Sequence, residues 1–262
     1  MFGLKDYVAV TTPEQAWQLL QADKNNVILG GLLWMKMGKK QYHTGIDLKN
    51  LGLDRIIEKP QCIEVGAMTS LRQMETSPVL AKWFGHIFPQ GLKAIVGIQF
   101  RNLATVGGSV YARFGFSDVI TSLLCLETQV HLYDRGKISL KEFLSMPTKK
   151  DILLKVEIPK ESRASSYQSI RKSATDFPVL SLAASRCRST WTISIGARPQ
   201  RACLAPETAA LLPDTPDDAQ IETACDTLVR EVGFGTDQRG SKEYRQALSK
   251  VLLKRGITQI CR

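Results

Sequence analysis

From Arg101 the chain reads Arg101-Asn102-Leu103-Ala104-Thr105-Val106-Gly107-Gly108-Ser109-Val110 and, eight residues on, reaches Asp118. Adjacent glycines open backbone torsions that other residues avoid and leave no side chain between the main chain and a bound group. Such a segment is either a tight turn or a loop whose amides a phosphate can reach. Asp118 directly precedes the apolar run Val119-Ile120-Thr121-Ser122-Leu123-Leu124. It therefore stands at an element's start, where its oxygens cap a helix or accept from a ligand hydroxyl. A second pair, Gly30-Gly31, follows the buried-strand candidate Val27-Ile28-Leu29. That places it at a strand's C-terminal end, again where backbone amides can point outward at phosphate.

A chain of 262 residues buries roughly 70–75% of its unfolded surface, enough for one large domain or two or three small ones. With 44% hydrophobic and 23% charged residues the composition is globular. No window approaches the ~18 apolar residues of a membrane span, and the start Met1-Phe2-Gly3-Leu4-Lys5-Asp6 lacks a secretory pattern, so a cytoplasmic protein is expected. Cys62, Cys125, Cys187, Cys203, Cys225 and Cys261 include no Cys-x-x-Cys pair and have no histidine at ligand spacing. The expectation is free or buried thiols, no metal site and no iron-sulfur cluster. A net charge of +10 raises the question of nucleic acid, but the basic residues fall in short separated groups without interleaved aromatics. A solvated basic surface or an acidic partner subunit accounts for the charge as well. No nucleophile, base and orienter set is apparent, so no catalytic residue is assigned.

In chain order, Thr12-Pro13-Glu14-Gln15 has the form of a capping box opening a helix through Trp17, Leu19 and Leu20. Ile63 and Val65 alternate with Glu64 as in a half-buried strand, after which Thr69 or Ser70 caps a helix carrying Leu71 and Met74. A helical stretch is expected from Pro78 through Phe88, with His86 inside it as a structural residue. After Asp118 a helix runs to about Leu126, and Val130, Leu132, Asp134-Arg135-Gly136 and Ile138 form a hairpin. Ser139-Leu140-Lys141-Glu142 opens a short helix, and Ile152 to Pro159 reads as a strand. The polar residues 160–166 mark a domain boundary. Beyond them lie an amphipathic strand at Trp191, Ile193 and Ile195 and a helical face at Ile221, Cys225, Leu228 and Val232. A last helix has Tyr244, Leu248, Val251 and Leu252 as its buried stripe and Lys254, Arg255 and Gly256 as stop signals.

The Arg101 to Asp118 stretch resembles the second flavin loop of the FAD-carrying medium subunits of molybdenum hydroxylases, such as xanthine dehydrogenase and carbon monoxide dehydrogenase. There the run is Arg-Asn-x-x-Thr-x-Gly-Gly-Asn/Ser with an aspartate nine residues on, the spacing from Ser109 to Asp118. The segment Leu29-Gly30-Gly31-Leu32-Leu33 is similar to that family's first loop, Ala-Gly-Gly-Thr-x-Leu, but has Leu32 where a threonine hydroxyl is expected. Similarity continues at Cys62 to Ser70, at Leu153 to Pro159, at Ser169-Ile170-Arg171-Lys172 and in the closing Asp237-Gln238-Arg239-Gly240-Ser241-Lys242-Glu243-Tyr244-Arg245.

The resemblance implies an α+β protein: a two-lobed FAD-binding domain of the molybdopterin-dehydrogenase flavoprotein type over residues 1–160, with lobes of about 1–57 and 58–160, then a C-terminal sheet-plus-helices domain over 161–262. It implies that Leu29, Gly30, Gly31, Leu32, Leu33, Thr105, Val106, Gly107, Gly108 and Ser109 surround the pyrophosphate of FAD. Asp118 accepts from a ribityl or ribose hydroxyl. Leu153 and Lys172 lie near the isoalloxazine, with a solvent-facing role for Lys172 standing as the alternative. The implied partners are a molybdopterin subunit and an iron-sulfur subunit, with electrons passing through FAD to NAD or another acceptor. Leu32 and the bulky Tyr111, Arg113 and Phe114 leave open a flavin-free structural subunit.

Overall fold

The computed structural model describes residues 2–262. The chain begins with β1 (Gly3–Ala9), α1 (Pro13–Ala22), β2 (Val27–Leu29), α2 (Leu33–Met37) and β3 (Gln41–Asp47). β3 lies between β1 and β2 and is parallel to both. Parallel neighbours need crossovers, and the β2-to-β3 crossover carries Gly30, Gly31 and α2. The first glycine pair therefore sits at the C-terminal edge of this sheet, where open parallel sheets bind ligands. Thr12 caps α1 by accepting from the Gln15 amide, with Pro13 in the first turn, as its sequence implies.

The second lobe contains β4 (Ile56–Glu58), β5 (Cys62–Gly66), α3 (Leu71–Thr76), α4 (Pro78–Phe84), α5 (Ile87–Leu92), α6 (Ile98–Leu103), α7 (Val106–Tyr111), α8 (Asp118–Leu124), β6 (Gln129–Leu132), β7 (Gly136–Ser139), α9 (Leu140–Ser145) and β8 (Leu153–Pro159). Its five antiparallel strands run β4-β5-β8-β6-β7. Ile63, Val65, Val130, Val156 and Ile158 face a core shared with the helices. Ser70 and Gln73 form a complete capping box on α3. The helix expected across 78–88 is broken in two at Gly85, whose φ of 60° lies in the left-handed region that glycine tolerates. Ile152, just ahead of β8, is buried in the first lobe's core beside Val10, Ala16, Leu20, Ile46 and Leu48, which staples the two lobes together.

β9 (Ala164–Arg171), β10 (Pro178–Cys187), β11 (Thr190–Gly196) and β12 (Cys203–Leu204) form an antiparallel sheet in the order β12-β11-β10-β9. α10 (Pro206–Ala210), α11 (Asp218–Glu231) and α12 (Lys242–Cys261) complete the chain, giving a mixed α+β fold. Its core packs Leu180, Leu182, Ile193 and Ile195 of the sheet against Leu228, Leu252, Leu253 and Ile257 of the helices. Two expectations for α12 are corrected here. Tyr244 and Val251 are 48% and 43% exposed rather than buried, because Arg245, Ser249, Leu252 and Gly256 occupy the inward face. Gly256 does not stop the helix; a Cβ there would lie 3.0 Å from Ser166 Oγ, so it is a point of close approach to β9.

A polar seam joins α8 to the C-terminal sheet. Ser194 donates to the Thr121 carbonyl and Ser185 to that of Cys125, each at 2.6 Å, while the Thr121 and Ser181 hydroxyls are 3.3 Å apart. Burial pushes the Cys125 thiol up to about 12, so it stays protonated in this seam.

Candidate cofactor site

The two glycine pairs meet. A Cβ on Gly30 would lie 3.0 Å from Thr105 Oγ1 and 3.8 Å from Gly108 Cα, and one on Gly31 would lie 2.0 Å from the Leu103 carbonyl oxygen. Only glycine permits that approach of backbone to backbone. Leu32 then adopts φ 63°, ψ −2°, at a cost of about 1–2 kcal/mol for a residue with a side chain. Among the described residues no protein oxygen accepts from the amides of Gly30, Gly31 or Leu32. Three successive backbone donors are thus left for a group outside the chain, and Leu33 packs against the second lobe's core.

The second pair is differently committed. Residues 106–111 are helical, with Thr105 as N-cap. The Val106 amide donates to Thr69 O at 2.9 Å, Gly107 to Ala67 O at 2.7 Å, Gly108 to Thr105 Oγ1 at 3.1 Å and Ser109 to Thr105 O at 3.0 Å. Ser109 Oγ also donates to Thr105 O. Gly107 is needed for packing, since a Cβ there would lie 2.7 Å from Ala67 O. At Gly108 a Cβ would meet Thr105 Oγ1 at 3.1 Å and nothing else within 4 Å, and Gly108 Cα lies 3.8 Å from the Cβ position of Gly30. The first pair supplies donors and the second supplies space, a combination that fits a pyrophosphate bridging the lobes. The segment is anchored upstream by Arg101, 4% exposed, whose guanidinium bonds Glu75 at 2.8 and 3.3 Å.

Beside this junction four aromatic rings from three parts of the chain converge. Trp34 of α2 lies 5.4 Å from Phe114, 5.8 Å from Phe116 and 5.8 Å from Phe177, the last pair nearly parallel, and Phe114 stacks on Phe116 at 5.1 Å. Arg239 of the closing motif caps Phe177 at 4.9 Å. Trp34 and Phe114 remain 43% and 37% exposed, which leaves an aromatic cluster with apolar surface facing solvent.

Asp118 is the first residue of α8, and the cap is Ser117, which accepts from the Ile120 amide. The Asp118 carboxylate is buried. Its Oδ1 accepts from Tyr167 Oη and, at 2.7 Å, from Arg171 Nη2, both on β9. Burial raises the Asp118 carboxyl above its ordinary range against the pull of Arg171, and burial followed by the Asp118 charge drives the Tyr167 phenol well up.

Leu153 and Lys172 come from β8 and from the segment after β9; β8 is tied to the second glycine pair through Ala67, whose amide donates to Leu154 O while its carbonyl accepts from Gly107. Leu153 is 5% exposed within the second lobe's core, and the exposed Lys172 donates to Gln238 O at 3.2 Å. The closing motif itself is a clasp around Arg245, which is fully buried and donates to Val179 O, Gly235 O, Gly240 O and the Asp237 carboxylate. On the outer face of the five-stranded sheet, Cys62, Glu64 and Glu157 bring ligand-type atoms within 4.8 Å of one another. Lys155 bonds Glu64 there and Lys137 bonds Glu157, so each carboxylate already has its cation and the group is a set of cross-strand ion pairs.

Sequence reasoning missed Trp34, Phe116, Phe177, Tyr167 and Arg171. Their partners lie far away in the chain, and the one available signal was the pair Phe114 and Phe116, four and two residues before Asp118.

Residues 1–161 match the family described as the FAD binding domain in molybdopterin dehydrogenase, and residues 165–260 match the CO dehydrogenase flavoprotein C-terminal domain. The chain is 26% identical over 273 aligned positions to the nicotine 6-hydroxylase medium subunit of Paenarthrobacter nicotinovorans, covering 97% of this chain and 96% of that one. Its fold is similar to reconstituted CO dehydrogenase from Oligotropha carboxidovorans, with a TM-score of 0.88 at 20% identity over 98% and 97% of the two chains. It is also similar to quinoline 2-oxidoreductase from Pseudomonas putida 86, with a TM-score of 0.86 at 22% identity over 98% and 96%.

Proposed function

Because the chain belongs to the family of FAD binding domains in molybdopterin dehydrogenase, we propose that it is the electron-transfer medium subunit of a molybdenum hydroxylase, taking electrons from an iron-sulfur partner and delivering them to NAD or another acceptor. The observation that carries this reading is the meeting of Gly30 with Thr105 and Gly108 beside three unpaired amides. FAD, when bound, supplies the reversible redox chemistry. The chain's own residues bind and orient: the amides of Gly30, Gly31 and Leu32 take phosphate oxygens, Gly108 leaves them room, and Thr105 fixes the facing helix by its cap.

Leu29 and Leu33 frame the first loop, and Val106, Gly107 and Ser109 hold the second in register. Asp118 accepts from a hydroxyl of the dinucleotide. Leu153 backs the flavin side from within the core, and Lys172 stands at its C-terminal rim. We divide the chain at 160/161 into an FAD-binding domain and a C-terminal domain, and read the surroundings as cytoplasmic; no helix among the described residues is long and apolar enough to cross a membrane.

The substrate is hydroxylated on a molybdopterin partner, a reading that agrees with finding no acid, base and nucleophile set among the described residues. The net charge of +10 suits docking to acidic partner surfaces. Substrate-dependent acceptor reduction tests the assignment. It should be absent from the isolated chain and appear when molybdopterin and iron-sulfur subunits are added, in proportion to the FAD bound. Turnover of a hydroxylase substrate by the pure chain would overturn it.

A further inference from the structure

We propose that Tyr167 and Arg171 are positioning residues for the cofactor site, which hold Asp118 by one carboxylate oxygen so that the other faces a hydroxyl of the bound dinucleotide. The inference rests on the FAD reading above and goes further, because it assigns a part in binding to two residues of β9 that the reading leaves without one.

The carboxylate is used asymmetrically. Tyr167 Oη and Arg171 Nη2 both donate to Oδ1, and apart from the residue's own amide no described residue donates to Oδ2. Oδ2 is not among the sealed polar atoms that lack a partner, so it keeps an opening. A carboxylate that is 5% exposed overall yet presents one oxygen that no other residue uses is an oriented acceptor. Asp118 stands next to the site: Phe116, two residues before it, packs at 4.3 Å on Phe177 and at 5.8 Å on Trp34, three residues beyond Gly31. Arg171 ties the same place together, since its Nη1 donates to Asp176 O, next to Phe177, and its buried Nε has no partner.

Charge explains why a cation is needed here. Burial disfavours the ionised carboxyl, and Arg171 is the cation that opposes it. The other groups facing Asp118 and Tyr167 are neutral: the hydroxyls of Thr121 on α8 and Ser181 on β10, and the Gln90 amide from α5, whose Oε1 accepts from the Tyr167 amide. Without Arg171 the carboxyl would take up a proton at higher pH and lose the acceptor that Oδ2 provides. Affinity for FAD, present above the Asp118 pKa, would then fall as pH drops through a range nearer neutrality.

The test is titration of the full chain, freed of flavin, with FAD between about pH 6 and pH 8.5, with thermal unfolding followed in parallel. The proposal expects wild type to bind with little pH dependence, and Arg171→Met to bind about tenfold or more weakly at the acid end with partial recovery at the alkaline end. Arg171→Lys should restore most of the affinity and flatten the profile. Tyr167→Phe should weaken binding by a few-fold, about the worth of one hydrogen bond, and add a smaller acid-side loss than Arg171→Met, because the phenol's bond to Oδ1 also favours the ionised carboxyl. An Arg171→Met profile parallel to wild type, or a loss equal at every pH that lysine does not rescue, would overturn the positioning role and leave a structural clasp between domains. Wild type that takes up no FAD at any pH would instead overturn the cofactor reading, and this inference with it.

Discussion

Gly30-Gly31 and Gly107-Gly108 are the same dipeptide doing different work. At the first pair the chain leaves a parallel strand, passes through the left-handed Leu32 and keeps three amides without a protein acceptor. At the second pair every amide from Val106 to Ser109 is bonded, and the glycines lie in the first turn of a capped helix. Their jobs also divide within each pair: Gly31 and Gly107 meet backbone oxygens, whereas Gly30 and Gly108 face one another. A Gly-Gly motif therefore does not identify a phosphate cradle; the fate of its amides does.

The comparison breaks most severely at Gly31. Gly31→Ala would push a Cβ to 2.0 Å from the Leu103 carbonyl oxygen, with backbone on both sides of the clash, so about 3 kcal/mol of stability and the bound flavin should be lost together. Melting temperature and flavin content of the purified variant measure both. A flavin-loaded Gly31→Ala protein of normal stability would show that the loops do not abut.

The second pair can be split. Gly108→Val should abolish flavin retention while costing about 1 kcal/mol of stability, since its Cβ would meet only Thr105 Oγ1, at 3.1 Å, and valine is no worse a helix former than glycine. Gly107→Ala should do the reverse, lowering the melting temperature through its contact with Ala67 O but leaving flavin on the chains that fold. Identical behaviour of the two variants would remove the distinction between space and packing.

A pH experiment sharpens the contrast from the anchor side. Burial raises the Glu75 carboxyl, but its bonds to Arg101 and Arg72 outweigh that and hold it below its usual value of 4.5. Its contribution to stability is therefore complete above about pH 4.5 and is lost as pH falls through the lowered value. Glu75→Gln should be less stable at neutrality and have a shallower acid limb in its unfolding midpoint. An unchanged limb would mean that Arg101 does not pin the second loop.

The smallest effect is expected at Leu32. Leu32→Gly should relieve about 1 kcal/mol of backbone strain, set partly against a floppier unfolded chain, and leave FAD affinity within a few-fold of wild type. A large loss of affinity would mean that the leucine side chain, and not the amides, holds the cofactor. Isothermal titration with FAD reads this directly.

What could be read in the sequence was mostly local. Thr12 and Ser70 announce their helices because a cap is a bond between neighbours, and the β6–β7 hairpin follows from Asp134-Arg135-Gly136 for the same reason. The family, the cofactor and the two glycine pairs were legible from motif order. The helix at 106–111 was not, because its first amides are fixed by Thr69 and Ala67, residues distant in sequence. Gly256 looked like a stop and is a contact; Tyr244 looked buried and is displaced by Arg245, whose clasp spans Val179 to Gly240. The aromatic cluster and the Asp118–Arg171 pair depend on three lobes meeting, which no local pattern encodes.

The central claim is that the open amides of Gly30, Gly31 and Leu32, with the space at Gly108, hold one pyrophosphate. Its most direct test is the flavin content of the purified chain after acid precipitation. The account predicts close to one equivalent of FAD in the supernatant, no flavin left on the precipitated protein and far weaker binding of FMN, which has no pyrophosphate. A colourless chain that takes up no FAD at saturating concentration would contradict it and leave a scaffold that keeps the loops only as structure.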